Sequence, residues 1–176
     1  MMSVPRSRPL LAMFRTVWSE TIGGGHLVRC VVLADELAGL GWSARFAADA
    51  TSQMPIPGGI AYPIIDMKCR ERDEPEFLRQ AVPDGVDLLI VDHMQRDLAF
   101  ERACRPWARR ILAIDGLRRP HDCDMLLDPV NAGLEPSSAQ SVPEACMKLL
   151  GPKFALLRPE FAKRRQESLD LSLIHI

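Results

Sequence analysis

A run of aliphatic residues that ends in an acid, VDLLIVD (Val86–Asp92), limits the fold of this chain more than any other segment. Continuous apolar residues without polar alternation are typical of a parallel strand that is covered on both faces. Five other runs are predicted to be strands: Leu10–Phe14, Trp42–Asp49, Gly59–Met67, Arg110–Asp115 and Asp124–Asp128. Helical patterns lie between them, at Leu27–Leu40, Asp73–Ala81 and Asp97–Trp107. This alternation predicts an α/β fold, with a Rossmann-like, mostly parallel sheet and helices on both faces.

The first predicted helix is apolar on more than one side. Its main apolar stripe starts at Leu27 with helical spacing, and Gly41 follows it as a left-handed cap would. Val28, Val32 and Leu33 lie outside that stripe. A helix that is apolar nearly all round is usually covered on both sides, so we expect a partner domain or subunit over this helix.

Composition and charge exclude several classes of protein. The chain has 176 residues, 47% of them hydrophobic and 26% charged, which fits one globular domain. Its formal net charge of -1 argues against nucleic-acid binding, because phosphate contacts need a basic surface. No apolar run reaches the roughly 18 residues that span a bilayer, and Leu10–Phe14 is too short for a signal peptide. We therefore expect a cytoplasmic protein without membrane contact, in which residues 1–9 are a disordered lead.

Neither a metal nor a cofactor is predicted. The five cysteines are odd in number and lack C-x-x-C spacing, which argues against a disulfide framework or a zinc knuckle. His121 and Cys123 could supply two metal ligands, but no neighbouring residues complete a tetrahedral set. The segment GGGHLV matches the dinucleotide fingerprint G-x-G-x-x-G only in part, because Val28 replaces the third glycine.

Polar residues follow the predicted strands at one edge of the sheet. The loops at that edge begin at Arg15, Asp49, Asp92 and Asp115. Ligands of a doubly wound sheet bind at the carboxyl ends of its strands. We therefore expect Gly23–His26, Asp92–His93 and Asp115 to face one crevice.

His26 directly follows three glycines at the start of the first helix. Gly23, Gly24 and Gly25 let the backbone approach a ligand closely and expose N–H groups to an anion. The positive end of the helix dipole favours the neutral ring, which is the form that a general base needs. The alternative is a histidine that only makes local hydrogen bonds, and the residues alone favour this alternative. The pair Asp92–His93 has a similar alternative, a turn acid beside a solvated histidine.

Four blocks of sequence occur together in a set order. They are FRT…IGGGHLVRC, LLIVDHM, ILAIDGLRRPHDCDMLLD and LLGPKFALLRPEF, and the resemblance they carry runs from Leu10 to Arg165. The set resembles the UDP-2,4-diacetamido-2,4,6-trideoxy-β-L-altropyranose hydrolases of pseudaminic acid biosynthesis. The resemblance implies the glycosyltransferase-B fold, in which two Rossmann-like domains enclose the active site. It also implies release of UDP from an amino sugar by water attack at the anomeric carbon, with inversion and without a metal.

The same resemblance implies roles for particular residues. It makes His26 the general base, which reverses the interpretation from the residues alone. The residues that it implies as contacts to the UDP-amino-sugar substrate are Arg15, Gly23, Gly24, Gly25, Asp92 and His93.

The resemblance also divides the chain. Residues 10–157 are expected to form the N-terminal Rossmann-like domain, and residues 158–176 the start of an interdomain helix and a truncated or aberrant tail. The second, UDP-binding domain of the family is expected to be missing, so that the chain alone would be inactive. Three positions depart from the family pattern: Val17 stands for an aspartate, Met94 for a tyrosine and Gly116 for a second acid. Two alternatives stay open: a glycosyltransferase or acyltransferase-associated protein of the same fold, or a non-catalytic binding fragment.

Overall fold

The computed structural model describes residues 8–49, 59–131, 141–161 and 164. Their strands are β1 (Leu11–Thr16), β2 (Ser43–Ala48), β3 (Ile64–Asp66), β4 (Leu88–Asp92), β5 (Ile111–Ile114), β6 (Met125–Asp128) and β7 (Met147–Leu150). Their α-helices are α1 (Gly25–Gly39), α2 (Glu74–Ala81) and α3 (Leu98–Cys104), with short 3-10 helices at Glu71–Asp73 and Pro152–Phe154. The strands form one parallel sheet in the order β3-β2-β1-β4-β5-β6-β7. The predicted Rossmann-like α/β fold is confirmed.

Helices cover both faces of this sheet. Each strand contributes side chains to both faces, because successive residues of a strand point to opposite sides. On one face, Leu27 of α1 joins a buried cluster with Phe14 of β1. On the other face, Leu78 of α2 and Phe100 of α3 share a cluster with Leu89 of β4. All five side chains are at least 90% buried. The central strands therefore need apolar side chains on both faces, as their sequence pattern predicts.

The chain changes direction in the sheet between β1 and β4. From β1 it runs outward through β2 and β3, and it then returns to β4 on the other side of β1. Loops that leave the two central strands in opposite directions open a crevice at their carboxyl ends. Thr16 and Asp92 are paired at the ends of β1 and β4, so they mark the floor of this crevice. The N-terminus of α1 lies beside it because α1 is the helix that follows β1.

Strand β7 was not predicted from the sequence. Its segment Met147–Leu150 pairs in parallel with β6 at the edge of the sheet. Met147 and Lys148 are exposed and the other two residues are half-buried, so the segment carries no continuous apolar run. An edge strand of this kind is held by backbone pairing, which leaves a weak signal in the sequence.

The bounds of most elements differ from the prediction by a few residues, and two of these differences have a clear structural meaning. Strand β3 covers only Ile64–Asp66 instead of Gly59–Met67, and it follows Pro63, which has no N–H to donate to a ladder. Helix α1 begins at Gly25 rather than at Leu27, which places His26 in its first turn. Gly41 adopts a φ of 83°, so the predicted left-handed conformation after α1 is confirmed.

The outer side of α1 is only partly covered within the described residues. Val28 is 40% exposed, whereas Leu33 packs against the core beneath the helix. Cover by a partner domain or subunit stays a prediction. So do the disordered lead at residues 1–9 and the helix and tail at residues 158–176, which lie largely outside the described residues. In the described ranges, no helix combines the length and the apolarity needed to cross a membrane.

Candidate active site

A cleft of about 340 Å³ opens at the carboxyl ends of β4 and β5, beside the first turn of α1. Its lining residues are His26, Arg29, Asp92, His93, Met94, Ile114, Asp115, Gly116, Leu117, Arg119, Pro129 and Val130. The structure thus brings His26, Asp92, His93 and Asp115 to one cleft. That convergence follows from the parallel sheet, whose strand ends meet at one edge.

His26 and Asp92 form a hydrogen-bonded pair at the floor of this cleft. The Nδ1 atom of His26 lies 2.6 Å from Oδ1 of Asp92, whose side chain has no exposed surface. An ionised carboxylate can only accept, so Nδ1 must carry the ring hydrogen and donate it. In the neutral ring, the other nitrogen, Nε2, keeps its lone pair. The imidazole is 22% exposed and lines the cleft, which makes Nε2 available to a bound molecule.

Arg29 holds the same carboxylate from one turn further along α1. Its Nε donates to Oδ2 of Asp92 at 2.5 Å, and its Nη2 also contacts Oδ1. Burial opposes the ionisation of Asp92, but the hydrogen bonds from Arg29 and His26 hold the pKa of Asp92 below its ordinary value. Sequence reasoning missed Arg29. The signal was its spacing of three from His26, which puts both side chains on one side of a helix.

His93 is a neutral, buried ring at the back of the cleft. Burial, together with the positive charges of Arg15 and Arg96, lowers the pKa of His93 to about 3. Its Nδ1 accepts the backbone N–H of Gln95 at 3.1 Å, so its hydrogen is on Nε2. That Nε2 is buried and has no hydrogen-bond partner within the described residues, although Oδ2 of Asp49 lies 3.9 Å away.

Arg15 lies in a buried ion-pair cluster rather than in the cleft lining. Its side chain has no exposed surface, and its Nη2 lies 2.8 Å from Oε1 of Glu74. Glu74 also accepts from Nε of Arg96 at 2.7 Å. Burial opposes the ionisation of Glu74, but the hydrogen bonds from the two guanidinium groups keep its pKa below the ordinary value. A contact between Arg15 and a substrate stays a prediction.

The three glycines form the turn that leads into α1. Gly23 has a φ of 82°, a conformation that favours glycine, and its N–H donates to the carbonyl of Ser19 at 2.7 Å. Gly24 is the N-cap of α1, with no side-chain cap, and its carbonyl accepts the N–H of Val28 at 2.9 Å. Gly23, Gly24 and Gly25 are not among the described residues that line the cleft, so their contact with a substrate also stays a prediction.

The loop after β5 is fixed to the loop after β4 by Arg119. Its guanidinium donates to the carbonyl oxygens of Met94, at 2.5 Å, and His93, at 3.2 Å. It also pairs with Asp115 at 3.2 Å. The position of Met94, which is 49% exposed at the rim, therefore depends on Arg119.

His121 is held between two buried carboxylates. Its Nδ1 lies 2.6 Å from Oε1 of Glu101 and its Nε2 lies 3.2 Å from Oδ2 of Asp115. The Sγ of Cys123 lies 3.6 Å from that of Cys146. The two residues that were considered as metal ligands thus have other neighbours. Within the described ranges, no group of three or more His, Cys, Asp or Glu residues is arranged to hold a metal ion.

We expect the protein to lose stability as the pH rises from about 6.5 to 9, because His121 loses its charge. Burial opposes the charged ring, but the hydrogen bonds to Asp115 and Glu101 raise the pKa of His121 to about 9. When the pKa of a group is higher in the folded than in the unfolded protein, its contribution to stability is complete below the unfolded pKa, here near 6.5. This contribution is lost as the pH rises through the folded pKa. The loss should be on the order of 2 kcal/mol in the free energy of unfolding, as measured by urea titration at several pH values.

The variant His121→Gln provides the control for this prediction. Its starting stability is lower, but its free energy of unfolding should fall less steeply over the same pH range. Burial raises the pKa of thiols such as Cys104 and Cys123, so near the upper end of this range they titrate only in the unfolded chain, and they do so in both proteins. Equal slopes for the wild type and the variant would show that His121 is not the group responsible.

Comparison with known proteins relates this chain to a curated hydrolase of similar sequence. No family model matches the chain. The chain is similar to the UDP-2,4-diacetamido-2,4,6-trideoxy-β-L-altropyranose hydrolase of Campylobacter jejuni, with 28% identity over 164 residues. The resemblance inferred from the motifs is confirmed. The matched region is 90% of this chain but 56% of the relative, so the chain spans little more than half the length of that protein.

Proposed function

We propose that this chain supplies the general base and one wall of the active site of a hydrolase that acts on a UDP-linked amino sugar. The observation that carries this proposal is the His26–Asp92 pair, in which Nδ1 is engaged at 2.6 Å and Nε2 is left for the cleft. A buried carboxylate that accepts from Nδ1 orients the ring and stabilises the imidazolium that forms when Nε2 takes a proton.

The proposed reaction has one displacement step. Nε2 of His26 takes a proton from a water molecule, and the water oxygen forms a bond to the anomeric carbon. The bond between that carbon and the UDP oxygen breaks, and its electron pair leaves with UDP. Because water attacks from the face opposite to the leaving group, the sugar is released with inverted configuration.

The lining of the cleft supports a sugar as the bound group. Its floor is polar, with Asp92, His93 and Asp115, and its rim carries the exposed side chains of Leu117 and Val130. Mixed linings of this kind fit a ring that has both hydroxyl and apolar substituents. We assign the backbone of the Gly23–Gly25 turn, with Asp92 and His93, to this side. Arg15 is assigned a supporting role, because its guanidinium is enclosed by protein.

The proposal assigns the uridine and diphosphate contacts to a second domain, in the two-domain arrangement of the glycosyltransferase-B type. Two facts support this assignment: the relative is named as a hydrolase of a UDP-linked sugar, and this chain matches only 56% of its length. Contacts to a diphosphate are charge-assisted and contribute roughly 1.5–3 kcal/mol each. The chain alone should therefore bind UDP more weakly, by orders of magnitude, than a protein that has both domains. The pathway that we propose for the reaction is pseudaminic acid biosynthesis, in the cytoplasm.

The test compares this chain alone with this chain joined to the part of the Campylobacter relative that it does not match. Both are given the UDP-amino sugar in ¹⁸O-labelled water. We expect the joined protein to release UDP and a sugar of inverted configuration that carries ¹⁸O on its anomeric carbon. Exhaustive chelation should leave this activity unchanged.

Three outcomes would contradict the proposal. Label in the phosphate of UDP would mean that a phosphorus–oxygen bond breaks. Transfer of the sugar to an added acceptor in preference to water would indicate a glycosyltransferase. Hydrolysis by the chain alone, with micromolar affinity for UDP in calorimetry, would show that the nucleotide site has been placed on the wrong domain.

A further inference from the structure

The guanidinium group of Arg29 contacts both oxygens of the Asp92 carboxylate. Nε of Arg29 donates to Oδ2 at 2.5 Å, and Nη2 contacts Oδ1, the oxygen that also accepts from His26. Two parallel N–H groups of a guanidinium match the two oxygens of a carboxylate, so this contact fixes both the position and the rotation of the acceptor. The remaining described donor to Asp92 is the thiol of Cys30, at 3.5 Å from Oδ2, which is a weak one.

We propose that Arg29 is a positioning residue for the His26 base, and this inference rests on the proposed function. Arg29 clamps the Asp92 carboxylate in the plane where Oδ1 meets Nδ1 of His26. With the carboxylate fixed, the imidazole has one favourable tautomer and one orientation, in which Nε2 faces the cleft. Without the clamp, the carboxylate can rotate about its last bond and the ring follows it.

The geometry of the group supports this role. Nη2 of Arg29 also lies 3.0 Å from Nδ1 of His26, so the guanidinium contacts both members of the pair. Because Arg29 is 29% exposed and Asp92 is fully enclosed, the arginine can be shortened without opening the core.

The inference is tested first in the chain itself, by ¹⁵N NMR of the histidine rings in neutral solution. In the wild type, His26 should be in the tautomer with hydrogen on Nδ1. In Arg29→Ala, resonances of the Nε2–H tautomer should become detectable. The control is Arg79→Ala, which removes an exposed guanidinium that pairs with Glu76 on α2 and should leave the His26 signals unchanged. A single Nδ1–H tautomer in Arg29→Ala would overturn the proposal whatever the enzyme assay shows.

The second arm uses the hydrolysis assay described above. Arg29→Ala should lower kcat by about 10- to 100-fold while KM changes by less than about threefold, since a misplaced base affects the chemical step. Millimolar guanidinium ion should restore part of kcat in Arg29→Ala and have no such effect on the wild type. Arg29→Lys should fall between the two proteins, because one ammonium group cannot hold both oxygens.

The variants separate this inference from the proposed function. If the wild-type joined protein does not hydrolyse the sugar nucleotide, the proposed function fails and the NMR result alone decides on Arg29. If the wild type is active and its activity depends on His26, wild-type kcat in Arg29→Ala or Arg29→Lys would overturn the positioning role. A thermal unfolding scan identifies a variant that fails to fold, and Arg29→Lys then carries the kinetic comparison, because it keeps the positive charge next to Asp92.

Discussion

Replacing His26 by Asn should lower the turnover of UDP-sugar hydrolysis by about 10²- to 10⁴-fold in the joined protein, the range expected for loss of a general base. The amide fits the space of the ring but cannot take a proton from water. The carboxylate of Asp92 stays paired with Arg29, so the free energy of unfolding should change little. Turnover is measured by UDP release under saturating substrate, and stability by thermal unfolding of the same samples.

Asp92→Asn provides an independent test of the same pair. An amide NH₂ in place of the carboxylate oxygen can donate to Nδ1, which would favour the ring with hydrogen on Nε2 and remove the base from the cleft. Activity should fall in this variant as well, although His26 is intact. Turnover of His26→Asn within a few-fold of the wild type would remove His26 from the mechanism, and Asp92 would then have no catalytic role to support.

The fold could be predicted where strands are covered on both faces. Strands β4 and β5 are fully buried, and their apolar runs predict both their type and their position. Strand β7 was missed because Met147 and Lys148 are exposed and its pairing partner β6 lies elsewhere in the sequence. A sequence pattern reports the burial of side chains, whereas an edge strand is defined by its backbone hydrogen bonds.

The location of the candidate site could be predicted from the sequence, but the hydrogen bonds and ion pairs within it could not. The parallel sheet brings the ends of its strands together, so the meeting of His26, Asp92 and Asp115 followed from the order of elements. The choice of partners did not follow. Arg15 is the residue before the last of β1, next to the crevice, yet its side chain shares the face of Met13 and reaches Glu74, 59 residues further along the chain. Such ion pairs depend on tertiary distances that no local pattern contains.

Glu74→Gln should lower the free energy of unfolding by about 3–5 kcal/mol, the usual cost of removing one partner from a buried ion pair. Glu74 is 2% exposed and accepts from Arg15 and Arg96, whose guanidinium groups are almost fully enclosed. Without its carboxylate, the only ion pair that Arg15 keeps among the described residues is the longer one to Asp49, at 3.3 Å. Urea unfolding of the wild type and the variant at neutral pH measures the difference.

Glu76→Gln, on the same helix, is the matched control. Glu76 also pairs with an arginine, Arg79 at 2.7 Å, but both side chains are more than half exposed. Water screens such pairs, so the loss should be at most about 1 kcal/mol. The pKa of Glu74 is held low by its two arginines, so its contribution is present above the ordinary carboxyl pKa and is lost as the pH falls. Equal losses of stability in the two variants would mean that water reaches the Glu74 carboxylate.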